Sequence, residues 1–280
     1  MPEENKERDE KEYLALLAIF ERFVGSDADE DGRLEAVEEL MALRASHIIG
    51  HALDGFSITL EEALELLRNT DGLSELDAAR RDIVVAAVDN LIDFAVAEEY
   101  QMLSELPDFD DENDGDEDEH EGLTDNDIYA IFDRYNKRYA YVENKDAEYA
   151  MIVAAGLVAV KPTTILTYMT QGDERVRPWH LQYEGVSAPK ASFPAWLIPP
   201  IEHMCRCFLI EDTISNSVQA ASKNKLEMPE WFNPTFKESV ALGGRIFSDE
   251  HPYFQIDEEH NKTLQSISKR IKSKYFNAQN

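Results

Sequence analysis

The chain has 280 residues, 43% of them hydrophobic, and a formal net charge of −30. That length and apolar content exclude a wholly disordered chain and suffice for two compact domains. No run approaches the about 18 apolar residues of a membrane span, and the opening MPEENKERDEKE lacks an apolar signal core, so neither membrane insertion nor export is expected.

The charge is unevenly placed. Residues 1–135 carry 40 Asp and Glu against 10 Lys and Arg, whereas 136–280 carry 17 of each. An N-terminal half of this sign is repelled by nucleic-acid phosphates, so direct nucleic-acid binding is not expected of it. It suits a basic protein surface or divalent cations, or is simply a solvated face.

In chain order, KEYLALLAIFERFV (11–24) has the apolar spacing of an amphipathic helix. A second helix is predicted over 34–53. LEEALELLRN follows, with Thr59 and Glu62 spaced as a capping box. A long helix is predicted from about Glu75 to Leu103. With no strand-like alternation before Asp108, residues 1–107 read as an all-helical acidic domain.

Between the first two helices, DADEDGRLEAVE fits an EF-hand calcium loop. Asp27, Asp29 and Asp31 fill its first, third and fifth positions, and Gly32 supplies the turn. Arg33 offers a backbone carbonyl, Glu35 stands ninth and Glu38 is the bidentate twelfth residue. Ca2+ is the cofactor this spacing implies. A partner hand, HALDGFSITLEEALELL, lacks the acidic ladder and keeps only Asp54 and Glu61 or Glu62. The alternative is an acidic turn between two helices.

DFDDENDGDEDEHE opens a low-complexity acidic linker, 108–123. From 124 to 280 a second domain is expected. Thr124 caps an aromatic-rich helix running through Tyr139 and Tyr141, a second helix spans about 146–160 until Lys161-Pro162 ends it, and TTILTYMT (163–170) reads as a strand. A basic helix, Glu258 to Phe276, closes the chain. The fold class expected is therefore α+β.

Thr170 to Leu209 is the densest stretch. Asp173, Arg175, Arg177 and His180 precede Pro199-Pro200, and His203, Cys205, Arg206 and Cys207 follow. Two His and two Cys could build a tetrahedral Zn2+ site from His180, His203, Cys205 and Cys207. Alternatively the thiols are buried, alternating with Arg206 on a strand, and His180 bonds Asp173 or a carbonyl. Asp173 or Glu184 could pair with an arginine and fix the loop. A Cys-x-Cys pair cannot comfortably bridge itself, so a reducing cytoplasm is the simplest setting for folding. No nucleophile–base pair or phosphate-cradling glycine loop is legible, so no enzyme activity is expected.

The order Thr170, Asp173, Arg175, Val176, Arg177, His180, Gly185, Pro199, Pro200, Cys205, Arg206, Cys207 resembles the signature of the phage Mu protein F-like family, the head morphogenesis or minor head proteins. The resemblance covers about Tyr149 to Leu209 and, more loosely, the tail; nothing before the acidic run carries it. Some members have a Cys-x-x-Cys where this chain has Arg177 and His180, which weakens the zinc reading here. The resemblance implies a domain of helices and a small irregular sheet. It also implies a component of virion or procapsid, assembled in the host cytoplasm against portal protein or other head proteins. In some members there is an influence on DNA packaging or ejection. Two alternatives stand beside it: a toxin or effector carrying such a domain, and an EF-hand calcium-binding protein.

Overall fold

The structure, a computed structural model, describes residues 3–25, 29–107, 124–212 and 227–277, the side chains of 3–5 aside. It is mostly helical, with one small antiparallel sheet, which makes it α+β. The expected linker, 108–123, lies outside the described residues.

The N-terminal helices are α1 (Glu3–Val24), α2 (Glu30–Gly55), α3 (Leu60–Arg68) and α4 (Glu75–Ser104). The Thr59–Glu62 capping box forms: Glu62 N–H donates to Thr59 Oγ1 at 3.2 Å and Thr59 N–H to Glu62 Oε2 at 2.7 Å. After the acidic run come α5 (Asp125–Asp133), a π-helical turn (Arg134–Tyr139) and α6 (Ala140–Leu157). Two helices with a break near Asp146 were expected here; the chain instead stays helical from 125 to 157. The π turn carries Asn136 inward, where its amide faces Glu99 Oε2 at 3.4 Å and Met102 Sδ at 3.2 Å.

The helices before 108 do not have a core separate from those after 123. Ile48, Ile49, Ala52, Val84, Val88 and Leu91 share one buried cluster with Ala147, Met151, Ala154 and Leu197. The separate all-helical domain expected over 1–107 is corrected on this point. The physical reason is that α2 is apolar on more than one side: it packs on α4, and the small residues of α6 fill its other side. Gly55 makes the approach possible: a Cβ there would stand 2.1 Å from the backbone oxygen of Glu148 on α6.

The sheet has β1 (Ile165–Met169) in the centre, flanked by β2 (Ser187–Pro189) and β3 (Phe208–Asp212), both antiparallel to it. Leu166 and Tyr168 of β1 are fully buried, so one face of this strand belongs to the core. The last helix, α8 (Glu258–Phe276), buries Leu264, Ile267, Ser268 and Ile271, one stripe at helical spacing. Lys272 then reaches Asp89 at 2.7 Å and Asp93 at 2.8 Å on α4. Part of the charge asymmetry read from the sequence is thus neutralised within the chain. Among the described residues no helix is long and apolar enough to cross a membrane.

Candidate functional site

The stretch after β1 folds back on itself in two layers. In the outer layer, one guanidinium nitrogen of Arg206 donates to both oxygens of Asp173, each at 2.9 Å. Arg177 donates to the backbone oxygen of His203 at 2.7 Å and faces Glu202 Oε2 at 3.3 Å. Thr170 bonds Glu184. Of the two alternatives for an arginine pair, Asp173 or Glu184, it is Asp173 that takes one among the described residues, and that arginine is Arg206. Gly185, at φ 79°, makes the turn that returns the chain to β2.

The inner layer is built from α7 (Pro178–Leu181) and the residues leading into β3. This single turn points Trp179 outward and His180 inward, where His180 is 2% exposed. His180 Nδ1 stands 3.3 Å from Cys207 Sγ and 4.0 Å from Cys205 Sγ. Its Nε2 meets Glu202 Oε2 at 3.0 Å, in place of the Asp173 or backbone carbonyl expected as its partner. Cys205 and Cys207 are 4% and 3% exposed, with Arg206 turned outward between them. The alternation is as expected, although the cysteines precede the strand itself. Their ligand atoms and that of His180 lie within 4.8 Å of one another.

His203 does not join them. Met204 has φ 56°, and this left-handed residue swings the chain between 203 and 205. His203 Nδ1 therefore faces Asp146 Oδ2 on α6 at 2.8 Å, with Phe236 edge-on to its ring. The fourth zinc ligand expected at His203 is corrected on this geometry. The residue that does face the thiols is Tyr168. Its hydroxyl is buried without a well-formed hydrogen bond. Burial and the nearby Cys205 and Cys207 push its pKa up. Contact with Cys207 and burial also push the Cys205 thiol up. Cys207, by contrast, is lowered to about 7 by hydrogen bonding from Cys205, against burial, and then by Tyr168.

The proposed calcium ligands take another form. Asp27 lies outside the described residues. Asp29 is the N-cap of α2, accepting the N–H of Gly32 at 2.8 Å. Asp31, Gly32, Arg33, Glu35 and Glu38 are all helical. A calcium loop needs the Arg33 carbonyl turned toward the ion, but within a helix that oxygen is committed to the backbone ladder. Glu38 pairs with Arg270 of α8, and Leu34, which a paired hand would bury, is 54% exposed. Over the described residues this is an N-capped helix start, the acidic-turn alternative, and not a calcium loop.

Sequence reading missed a buried ionic centre between α2, α4 and α6. Arg44, fully buried, faces Glu98 at 2.8 Å and Glu143 at 3.0 Å and donates to Asn144 Oδ1 at 2.8 Å. Burial opposes its charge, but Glu98, Glu143 and Glu99 hold its pKa above the ordinary value. Burial pushes Glu99 up to about 8 and Glu98 well above the carboxylate range. One guanidinium cannot balance three buried carboxylates, so protons must make up the difference. The available signal was a charge inside each apolar run: Arg44 within MALRASHII and Glu98-Glu99 after DFAVA.

Beside this centre lies a cavity of about 410 Å³, lined in part by Glu12, Arg44, His47 and Asn136. Glu12 Oε2 of this lining meets His51 Nε2 at 3.0 Å, and the same nitrogen stands 3.9 Å from Asp9 Oδ1. Glu12 also accepts from Arg8 at 2.8 Å. Against burial, His51 and Arg8 lower its carboxyl to about 2.

In comparisons with known protein families, curated proteins and solved structures, nothing matches the chain.

Proposed function

We propose that the chain is a minor head protein of a phage or prophage, acting by binding rather than by chemistry. Its partner is the portal protein or the inner face of the capsid during procapsid assembly, with an influence on DNA packaging or ejection. The observation that supports this reading is that signature residues are mutual partners: Asp173 with Arg206, and His180 with Cys207. A signature whose members contact one another is a structural clasp, the property expected of an assembly module. The acidic N-terminal half fits a particle interior, where a chain of opposite charge would stick to packaged DNA.

The test is co-purification. The tagged full chain, co-expressed with the portal protein of its own genome, retains that portal through gel filtration. A mixture that elutes as two separate species argues against the reading.

A further inference from the structure

We propose that His180, Cys205 and Cys207 form a buried site for a thiophilic divalent metal, Zn2+ first, with the Tyr168 hydroxyl facing the fourth position. This goes beyond the assembly role and does not rest on it.

The distances fit a tetrahedral ion. With Zn–S near ~2.3 Å and Zn–N near ~2.0 Å, a sulfur and a nitrogen on one zinc stand about 3.5 Å apart. The two S···N distances here, 3.3 and 4.0 Å, bracket that value. The imidazole is also set for the task. Nδ1 faces the sulfurs, and Nε2 is held by the Glu202 carboxylate at 3.0 Å. Such an outer carboxylate fixes the ring and its tautomer in metal-bound histidines generally.

Burial and donor type then select the metal. All three donors are under 5% exposed. Two thiolates, a neutral imidazole and a neutral phenol around a dication give zero net charge, which a dry site tolerates. Hard cations such as Ca2+ and Mg2+ need oxygen ligands, and only the Tyr168 hydroxyl supplies one. Loading releases to solvent whatever protons the two thiols still carry and leaves the Tyr168 hydroxyl protonated.

An independent observation points the same way. Tyr168 is fully buried in the middle of β1, and its hydroxyl lacks a well-formed hydrogen bond. A buried hydroxyl satisfied only weakly, by the Cys207 thiol, gains from a ligand at the position it faces. The metal would also tie α7 to the entry of β3, so its role is to lock the clasp.

The test uses the full chain, freed of metal with a chelator under reducing conditions and titrated with Co2+ and then Zn2+. Wild type is expected to take up one Co2+ with a thiolate-to-cobalt charge-transfer band and intense visible bands, both displaced by one equivalent of Zn2+. Saturating Zn2+ should raise Tm by about 5 °C or more. The band should vanish in C205S/C207S and weaken in His180→Gln. It should persist in His203→Gln, which separates this site from one using His203. If the cysteine variants fail to fold, alkylation of wild type replaces them: Zn2+ should slow modification of both thiols at least tenfold. A folded wild type showing no charge-transfer band, or a band unchanged in C205S/C207S, overturns the proposal. So does alkylation that Zn2+ leaves unchanged.

Discussion

Asp146 and Met204 are 58 residues apart in sequence, yet a carboxylate oxygen of the first accepts the backbone N–H of the second at 2.6 Å. The other oxygen takes His203 Nδ1 at 2.8 Å. One buried side chain of α6 therefore holds the left-handed residue that turns His203 away from the thiols. Asp146→Ala leaves a backbone N–H and an imidazole without their partner, and the expected loss is about 3 kcal/mol. Asp146→Asn keeps an acceptor for Met204 and should lose about half as much. Urea denaturation checks both, and a loss no larger than that of an exposed substitution would contradict the assigned role.

Gly55→Ala opposes two effects. Alanine gains about 1 kcal/mol of helix propensity over glycine. Its Cβ, however, would meet the Glu148 backbone oxygen at 2.1 Å, and neither helix backbone can yield locally. Overpacking should win, with a net destabilisation of about 2 kcal/mol. A stabilised variant would mean that α2 and α6 do not approach this closely.

The buried carboxylates predict a pH dependence. Glu99 is raised to about 8 in the fold against about 4.3 in an unfolded chain. Between those values the folded state keeps a proton that the unfolded state has lost. Its contribution is therefore complete below the unfolded value and declines as pH rises toward about 8. Glu99→Gln should remove part of this decline, so the variant gains on wild type between about pH 6 and about pH 8. His47, lowered to about 4, and His251, lowered to about 3, both chiefly by burial, act in the opposite sense. They contribute stability that is complete above the ordinary histidine pKa and is lost as pH falls from there through their lowered values. Thermal melts of both proteins across this range decide the matter. A Glu99→Gln melting curve parallel to that of wild type would remove Glu99 as the source.

At the N-terminus of α2, Asp29 acts as a cap. Asp29→Ala should cost about 1 kcal/mol whether or not calcium is present, and Asp29→Asn should be nearly neutral. Millimolar Ca2+ should leave the Tm of wild type unchanged. A calcium-dependent rise that Glu38→Gln abolishes would restore the loop reading.

The elements legible in the sequence are those set by local rules. The Thr59–Glu62 box, the strand at Ile165–Met169 and the basic helix from Glu258 follow from capping, β-branching and spacing, and each forms. Two kinds of feature were not legible. One is geometry that a single backbone dihedral decides: Met204 at φ 56° removes His203 from the metal set, and no residue pattern announces a left-handed methionine. The other is long-range closure. Arg44 and Glu143 stand 99 residues apart, and nothing local to either shows that α2 and α6 share a core. The EF-hand pattern failed for a related reason. Its spacing is also that of an acid-capped helix, and helix propagation from Asp29 decides between the two.

Mass spectrometry of gradient-purified procapsids made from the native genetic setting tests the proposed head-assembly role. Peptides of this chain should co-sediment with portal protein, at a few copies per particle, and be lost from the particles in a D173A/R206A variant that still folds. Procapsids that assemble and package normally without any trace of the chain would contradict that role.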